Sequence, residues 1–331
     1  MKKGIFKILM ALVILILAIS CGKKNDTINI VFLPNESNDS LKASREEFAK
    51  IIEKATGKKA NIVTTTDYNI AMENIISGQA QIAYIGAEGI LSADKKTKDV
   101  QAIVTNAGKS GTNADALYYS FIAVPSDAAN NYKVGNTYDL KKLKGKKVSF
   151  VTNSSTSGFV VPGEVLVKEF GLKNTDELLQ EGKVFSKVIF GNSHPGTQVN
   201  LLKKDVDVAT FAIPKSFTTY ELVSGEENKT GATYKVKAGA PSPFGEYVGK
   251  SFTVIKSIPV PNGAIVFNVK SLNKDDQAKI KAALLSKETY ENPAIFSAKT
   301  SKIRGMFLKE SDKVGFVEVN NKWYEDIMKE K

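Results

Sequence analysis

Short, nearly unbroken apolar runs alternate along this chain with stretches whose apolar residues return every three or four positions. The first kind reads as buried strands and the second as helices packed on them. The pattern predicts strands at 28–33, 60–64, 81–85 and 100–105, with helices at 40–55 and at 68–77 between them. In the first helix Leu41, Phe48, Ile51 and Ile52 fall near one face, and Gly57 supplies its stop. These segments make one doubly wound unit. A second begins near Leu117, with strands at 118–124, 147–151, 184–190 and 206–211, a helical turn at 139–143, and helices at 159–170 and 196–203. Strands at 253–255 and 264–269 return, followed by a helix at 273–286 capped by Asn273 and a last one at 321–329. The stretches 224–233 and 238–243 read as surface connections. Such alternation defines the α/β class.

With 331 residues the chain exceeds what one core usually serves, so two domains are expected. Its first twenty residues have the form of a secretory leader: basic Lys2, Lys3 and Lys7, then twelve apolar residues from Ile8 to Ile19, then small Ser20. Twelve are too few to span a bilayer comfortably. Cys21 follows directly and is the only cysteine; with a single histidine in the chain, neither a disulfide nor a structural zinc site is available. The formal charge of +11 is spread in lysine pairs such as Lys95-Lys96 and Lys203-Lys204, which read as solvated faces and indicate no nucleic-acid site.

The candidate chemistry lies in Asn153-Ser154-Ser155-Thr156-Ser157-Gly158, between the strand at 147–151 and the helix at 159–170, whose first turn holds Pro162. Serine and threonine are ordinary N-caps and loop formers. They also suit an oxyanion, because a helix start offers unpaired N–H groups and the positive end of the macrodipole. Arginine is the usual bidentate partner of phosphate or carboxylate, yet only Arg45 and Arg304 occur. Hydroxyls and main-chain N–H groups are therefore the expected anion donors.

Several segments resemble the substrate-binding proteins of phosphonate, phosphate and phosphite ABC transporters. The run from Asn153 through Pro162 and Gly163 resembles their signature loop and helix, and Gly191-Asn192-Ser193-His194 their second motif. Val206-Asp207-Val208-Ala209-Thr210, Ser257-Ile258-Pro259-Val260-Pro261-Asn262, Asp67-Tyr68 and Gln81-Ile82-Ala83-Tyr84-Ile85-Gly86 resemble further family segments. The resemblance implies a two-lobe type II periplasmic-binding-protein fold, two doubly wound α/β domains joined by two crossover segments. It puts lobe 1 at 28–116 and 270–331 and lobe 2 at 117–269. It implies a phosphorus oxyanion in the interlobe cleft, held by Ser155, Thr156 and Ser157 with Ser154 beside them. His194, Tyr68 and either Tyr118 or Tyr119 are the implied further contacts. No cofactor or metal is implied; a permease and an ATPase are the implied partners, and a monomer is expected.

Leu17-Ala18-Ile19-Ser20-Cys21 resembles a bacterial lipoprotein box, with leucine four residues before the cysteine where three is usual. It implies a signal peptide at 1–20, lipid on Cys21, a tether at 21–27 and an extracytoplasmic, membrane-anchored protein. Two positions depart from the binding-protein family: where members that take aminoalkylphosphonates carry carboxylates, this chain has Pro214 and Gly263. Glu88, just after the strand at 81–85, is a candidate at the cleft mouth, with a plain favourable first-turn residue of a helix as the alternative. Other anions, such as a sulfonate, a selenate-like ion or a vitamin phosphate, fit the same cradle. A penicillin-recognising serine enzyme is the rival class, on Ser92-Ala93-Asp94-Lys95 and Lys229-Thr230-Gly231, but no Ser-Asp-Asn box accompanies them. If His194 donates to the anion at its ordinary pKa, affinity is expected to vary between about pH 5 and 8.

Overall fold

A computed structural model describes residues 27–34, 41–214, 219–301 and 303–329. The leader, Cys21 and nearly all of the tether lie outside the described residues.

The chain opens with β1 (Thr27–Phe32), α1 (Lys42–Thr56), β2 (Lys59–Thr64), α2 (Tyr68–Ser77), β3 (Ile82–Ile85), α3 (Ala87–Lys96) and β4 (Val100–Asn106). β1 is apolar on both faces for a physical reason. Ile28, Ile30 and Phe32 pack with Phe48 and Ile52 of α1, while Val31 faces the opposite core with Ile75 of α2. The rings of Phe32 and Phe48 meet edge to face at 6.1 Å. α1 ends at Gly57, whose φ of +69° supplies the left-handed C-cap.

The second half runs through β5 (Leu117–Pro125), β6 (Lys147–Phe150), α4 (Val161–Phe170), β7 (Lys187–Phe190), α5 (His194–Leu202), β8 (Val208–Ala212), β9 (Tyr220–Ser224), β10 (Thr233–Val236) and β11 (Ser251–Pro261). β12 (Ala264–Asn268), α6 (Lys274–Leu284), β13 (Phe316–Glu318) and α7 (Asn321–Lys329) close the chain. A six-stranded sheet has the order β13-β4-β12-β3-β1-β2, and a seven-stranded sheet the order β9-β10-β11-β5-β8-β6-β7. β1 pairs in parallel with β2 and β3, as β6 does with β7 and β8; β12 and β5 run antiparallel to their neighbours. Each sheet anchors one lobe.

Several elements differ from the sequence pattern. The strand expected at 253–255 is an eleven-residue β11, paired with β5 from Phe252↔Pro125 to Pro261↔Leu117. Lys256, Ser257, Pro259 and Pro261 hide it. The prolines are tolerated because β10 pairs only with residues 251–253, leaving that side of β11 without a ladder. Helix α3 was marked only by Glu88 as a first-turn candidate, and the surface connection expected at 224–233 is flanked by two strands, β9 and β10, that the pattern did not predict. Strand β12, expected on the second-lobe side of a boundary at 269/270, pairs within the six-stranded sheet.

The two connections between the lobes run side by side. Asn262 N–H donates to the Ala116 carbonyl at 2.8 Å, and its Nδ2 to the Asn106 carbonyl at 3.1 Å. The Tyr324 hydroxyl donates to the Asn262 carbonyl at 2.8 Å. The lobes are thus joined at one edge by a hydrogen-bonded pair of crossovers, and a cleft opens beside it.

Candidate functional site

The hydroxyl run starts the helix rather than preceding it. A π-helical turn at Thr156–Val160 leads straight into α4, so the helical segment opens at Thr156 and not at residue 159 as the sequence pattern has it. Ser155 is the N-cap; its Oγ accepts the Gly158 N–H at 3.1 Å, and its carbonyl accepts both the Phe159 and Val160 N–H groups at 3.0 Å. The wide turn is pinned from the sheet below. Ser120 Oγ donates to the Ser157 carbonyl and Thr210 Oγ1 to the Gly158 carbonyl, both at 2.6 Å. A Cβ at Gly158 would lie 2.3 Å from a methyl of Val151, so only glycine lets the turn sit this close to the strand end. The N–H groups of Thr156 and Ser157, at the start of the turn, have no acceptor within the helix.

His194 stands at the first position of α5, whose N-cap Ser193 accepts the Gly196 N–H at 3.0 Å. The ring is buried, and its Nδ1 accepts the Ala212 N–H at 3.0 Å. That contact fixes the neutral tautomer with hydrogen on Nε2. Nε2 lies 3.3 Å from Ser157 Oγ, so the ring donates toward the cradle and the Ser157 hydroxyl hydrogen is left for another acceptor. Burial lowers the His194 pKa from 6.5 to about 3. The expected titration between about pH 5 and 8 is therefore corrected: the residue is a neutral donor throughout that range.

Ser154, Ser155, Thr156, Ser157, His194, Tyr68 and Tyr118 converge on one interlobe cleft of about 140 Å³. Tyr119 is not on its lining. Adjacent residues of a strand face opposite ways, and while Tyr118 turns to the cleft Tyr119 packs against the core beneath. Glu88 also stays off the lining. It sits in the first turn of α3, where its Oε1 accepts the Ser92 hydroxyl at 2.5 Å, so its carboxylate is satisfied along its own helix. Its main-chain N–H does reach the site, donating to Thr156 Oγ1 at 2.9 Å. This hydrogen bond joins the lobes, and the approach is tight enough that a Cβ on Gly86 would come within 2.7 Å of the same oxygen.

No lysine or arginine occurs among the described residues lining the cleft. An anion held here must be solvated by neutral donors: hydroxyls, first-turn N–H groups and His194 Nε2–H. Hydrogen bonds to a charged partner contribute about 1.5–3 kcal/mol each, so three or four offset a substantial desolvation cost. The wall facing them was not legible in the sequence. It includes Met72 of α2, Asn106 at the end of β4, and Met306, Phe307 and Glu310. Gly263 also lines the cleft; a Cβ there would fall 2.7 Å from the Ile85 carbonyl and 2.9 Å from the Tyr84 ring, leaving no space for a side chain. Among the described residues no cluster of three or more His, Cys, Asp or Glu is placed to hold a metal, and no helix is long and apolar enough to cross a membrane.

Two α/β lobes joined by paired crossovers, with a donor-lined cleft between them, define a two-lobe type II periplasmic binding protein. The chain belongs to the ABC transporter phosphonate periplasmic substrate-binding protein family, whose sequence profile matches residues 30–324. It is 29% identical over 185 residues to the phosphate-import protein PhnD of Mycolicibacterium smegmatis, a match covering 55% of this chain and 54% of that protein. The chain thus spans about half the length of that curated relative. PhnD1 from Prochlorococcus marinus, solved in complex with methylphosphonate, shares the fold with a TM-score of 0.64 at 16% identity, over 92% of this chain and 97% of that one. A binding protein component of an ABC phosphonate transporter from Pseudomonas aeruginosa shares it with a TM-score of 0.61 at 17% identity, over 91% and 84%. The family is one of transport components and not of enzymes, which removes the serine-enzyme reading; Ser92, its presumed nucleophile, is the helical residue that donates to Glu88.

Proposed function

We propose that this protein is the extracytoplasmic solute-binding component of an ABC importer. It captures a phosphorus oxyanion, phosphonate, phosphate or phosphite, between its lobes and delivers it to a permease and ATPase. The observation that carries this reading is the convergence of Ser155, Thr156 and Ser157, the first-turn N–H groups behind them and the locked His194 Nε2–H on one interlobe cleft. The lobes correspond to residues 28–116 with 270–331, and 117–269; the pairing of β12 with β3 and β4 supports drawing the second boundary before residue 264. The protein works as a monomer, cleaved after residue 20 and held to a bacterial membrane by lipid on Cys21. Two or three acyl chains, at about 0.8 kcal/mol per buried CH₂, give a stable anchor.

Titration calorimetry and phosphorus NMR on the mature chain test the ligand class. Thr156→Ala and Ser157→Ala are each expected to weaken binding of the preferred phosphorus anion by about tenfold, the loss of one charge-assisted hydrogen bond, with circular dichroism unchanged. Wild-type affinity in both variants would remove the cradle from the site. For the anchor, Cys21→Ala is expected to move the protein from the membrane to the soluble fraction; continued membrane retention would refute lipidation there.

A further inference from the structure

The hydrogen bond that keeps the His194 ring neutral and aimed at the cradle comes from the main chain of Ala212, and both main-chain groups of Ala212 are held from α5. Its N–H donates to His194 Nδ1 at 3.0 Å, and its carbonyl accepts Gln198 Nε2 at 3.0 Å. The two side chains stand one helical turn apart and so share a face of α5. They are needed there because β6, the strand on that side of β8, pairs with it only at Val208 and Ala209. Ala212, buried at the end of β8, has run past its strand partner, and its main-chain groups on that side take side chains instead.

Gln198 is oriented in turn. An amide whose Nε2 faces a carbonyl needs a donor for its Oε1, and the Tyr220 hydroxyl supplies one at 2.7 Å. Burial pushes the pKa of that hydroxyl well above its ordinary value, so the hydrogen stays in place. The Tyr220 ring is itself seated edge to face against Phe244 at 5.6 Å and Phe252 at 5.2 Å. Removing the hydroxyl leaves Oε1 without that donor and frees the amide to rotate. Seating the helix does not require these contacts. Thr197 Oγ1 donates to the Phe150 carbonyl at 3.2 Å and Asn200 Nδ2 to Ser149 Oγ at 3.1 Å, which fixes α5 on the sheet independently. A leucine and a phenylalanine would fill the same places without burying polar atoms. What the polar pair adds is a fixed direction for Ala212.

We infer that Gln198 and Tyr220 are positioning residues for anion capture: acting in series on Ala212, they hold the N–H that keeps hydrogen on His194 Nε2 and turns the ring toward the Ser157 hydroxyl. Neither is among the residues that line the cleft. This rests on the oxyanion reading above, in which His194 is a donor to the ligand.

Calorimetry on the untagged mature chain at neutral pH, with inorganic phosphate, phosphite and methylphosphonate as probes, reads affinity. Long-range proton–nitrogen NMR of the imidazole reads the tautomer, and His194 is the only histidine in the chain, so its ring signals are assigned at once. The wild type is expected to show one neutral form, protonated at Nε2. Tyr220→Phe and Gln198→Met are expected to show exchange between both neutral forms, and to weaken binding of the best probe by about threefold and about tenfold, part or all of one charge-assisted hydrogen bond. In a His194→Ala background both substitutions should cost nothing further, because they act only through the imidazole. Residues that merely stabilise the fold would leave the tautomer unchanged and weaken binding equally in either background. That result, or wild-type affinity in both single variants, overturns the inference while leaving the oxyanion reading intact. Failure of the wild type to bind any of the three probes overturns that reading, and this inference with it. If Gln198→Met does not fold, Tyr220→Phe, which removes a single oxygen atom, decides by the same two readouts.

Discussion

With the Ala212 N–H donating to its Nδ1, His194 can accept a second proton only by breaking that bond inside a buried pocket, and burial alone holds its pKa at about 3. Two consequences follow at the residue scale. Its contribution to anion affinity is flat from about pH 5 to 8, so any pH dependence there belongs to the ligand's own ionisation. Stability behaves oppositely. The folded state binds fewer protons at this site than the unfolded chain, whose histidine titrates near 6.5, so the stability it protects is complete above that value and is lost as pH falls toward 3. Each pH unit in that window costs up to about 1.4 kcal/mol. Unfolding midpoints measured from about pH 7 to 4 should fall more steeply for the wild type than for His194→Gln. Parallel curves would show that the native histidine is protonated. The sequence offered this residue as a donor and could not show its tautomer, because the group that fixes it lies 18 positions away in β8. Asn106 was missed for the same kind of reason: an asparagine at a strand end is ordinary, and only the fold shows that it lines the cleft.

Among the elements, those that carry their pattern locally were legible. β1 and α1 are read directly from their apolar positions, and the end of α1 from Gly57. The cradle was legible as composition but not as geometry. Four hydroxyl residues and a glycine read as a loop, yet Thr156, Ser157 and Gly158 form the opening turn of a helix capped by Ser155, and Ser120 and Thr210, 37 and 52 residues distant, bind the carbonyls of that turn. The far wall of the cleft left even less trace. Phe307–Leu308 is a strand of only two residues, paired with Phe296–Ser297, and no periodicity can announce an element that short. β11 was hidden by its prolines and by Lys256 and Ser257, which sit where the strand has a partner on one side only. What the residues could not supply, the resemblance to known binding proteins did, since it drew on motif order rather than on burial. It could not place Tyr118 over Tyr119; strand alternation did that.

At the scale of the whole molecule, the site exists only where the lobes meet. The cradle belongs to the seven-stranded lobe, the apolar wall to the other, and the Glu88 N–H to Thr156 Oγ1 hydrogen bond ties them across the cleft. The paired crossovers lie at one edge, so movement about them would open the opposite side, as in hinge closure around a ligand. Gly86, which lines the cleft beside Thr156 of the cradle, offers a way to test this. Its φ of −77° is open to any residue, so a side chain there meets no backbone strain, only the 2.7 Å approach to Thr156 Oγ1. Gly86→Val should therefore prop the lobes apart while leaving each of them folded. Small-angle scattering in the presence of saturating ligand should give a larger radius of gyration than the wild type, with weaker binding expressed mainly as faster dissociation. If Gly86→Val closes to wild-type dimensions and holds its ligand as long, the contact between Gly86 and Thr156 does not limit closure, and the lobes must meet on other residues.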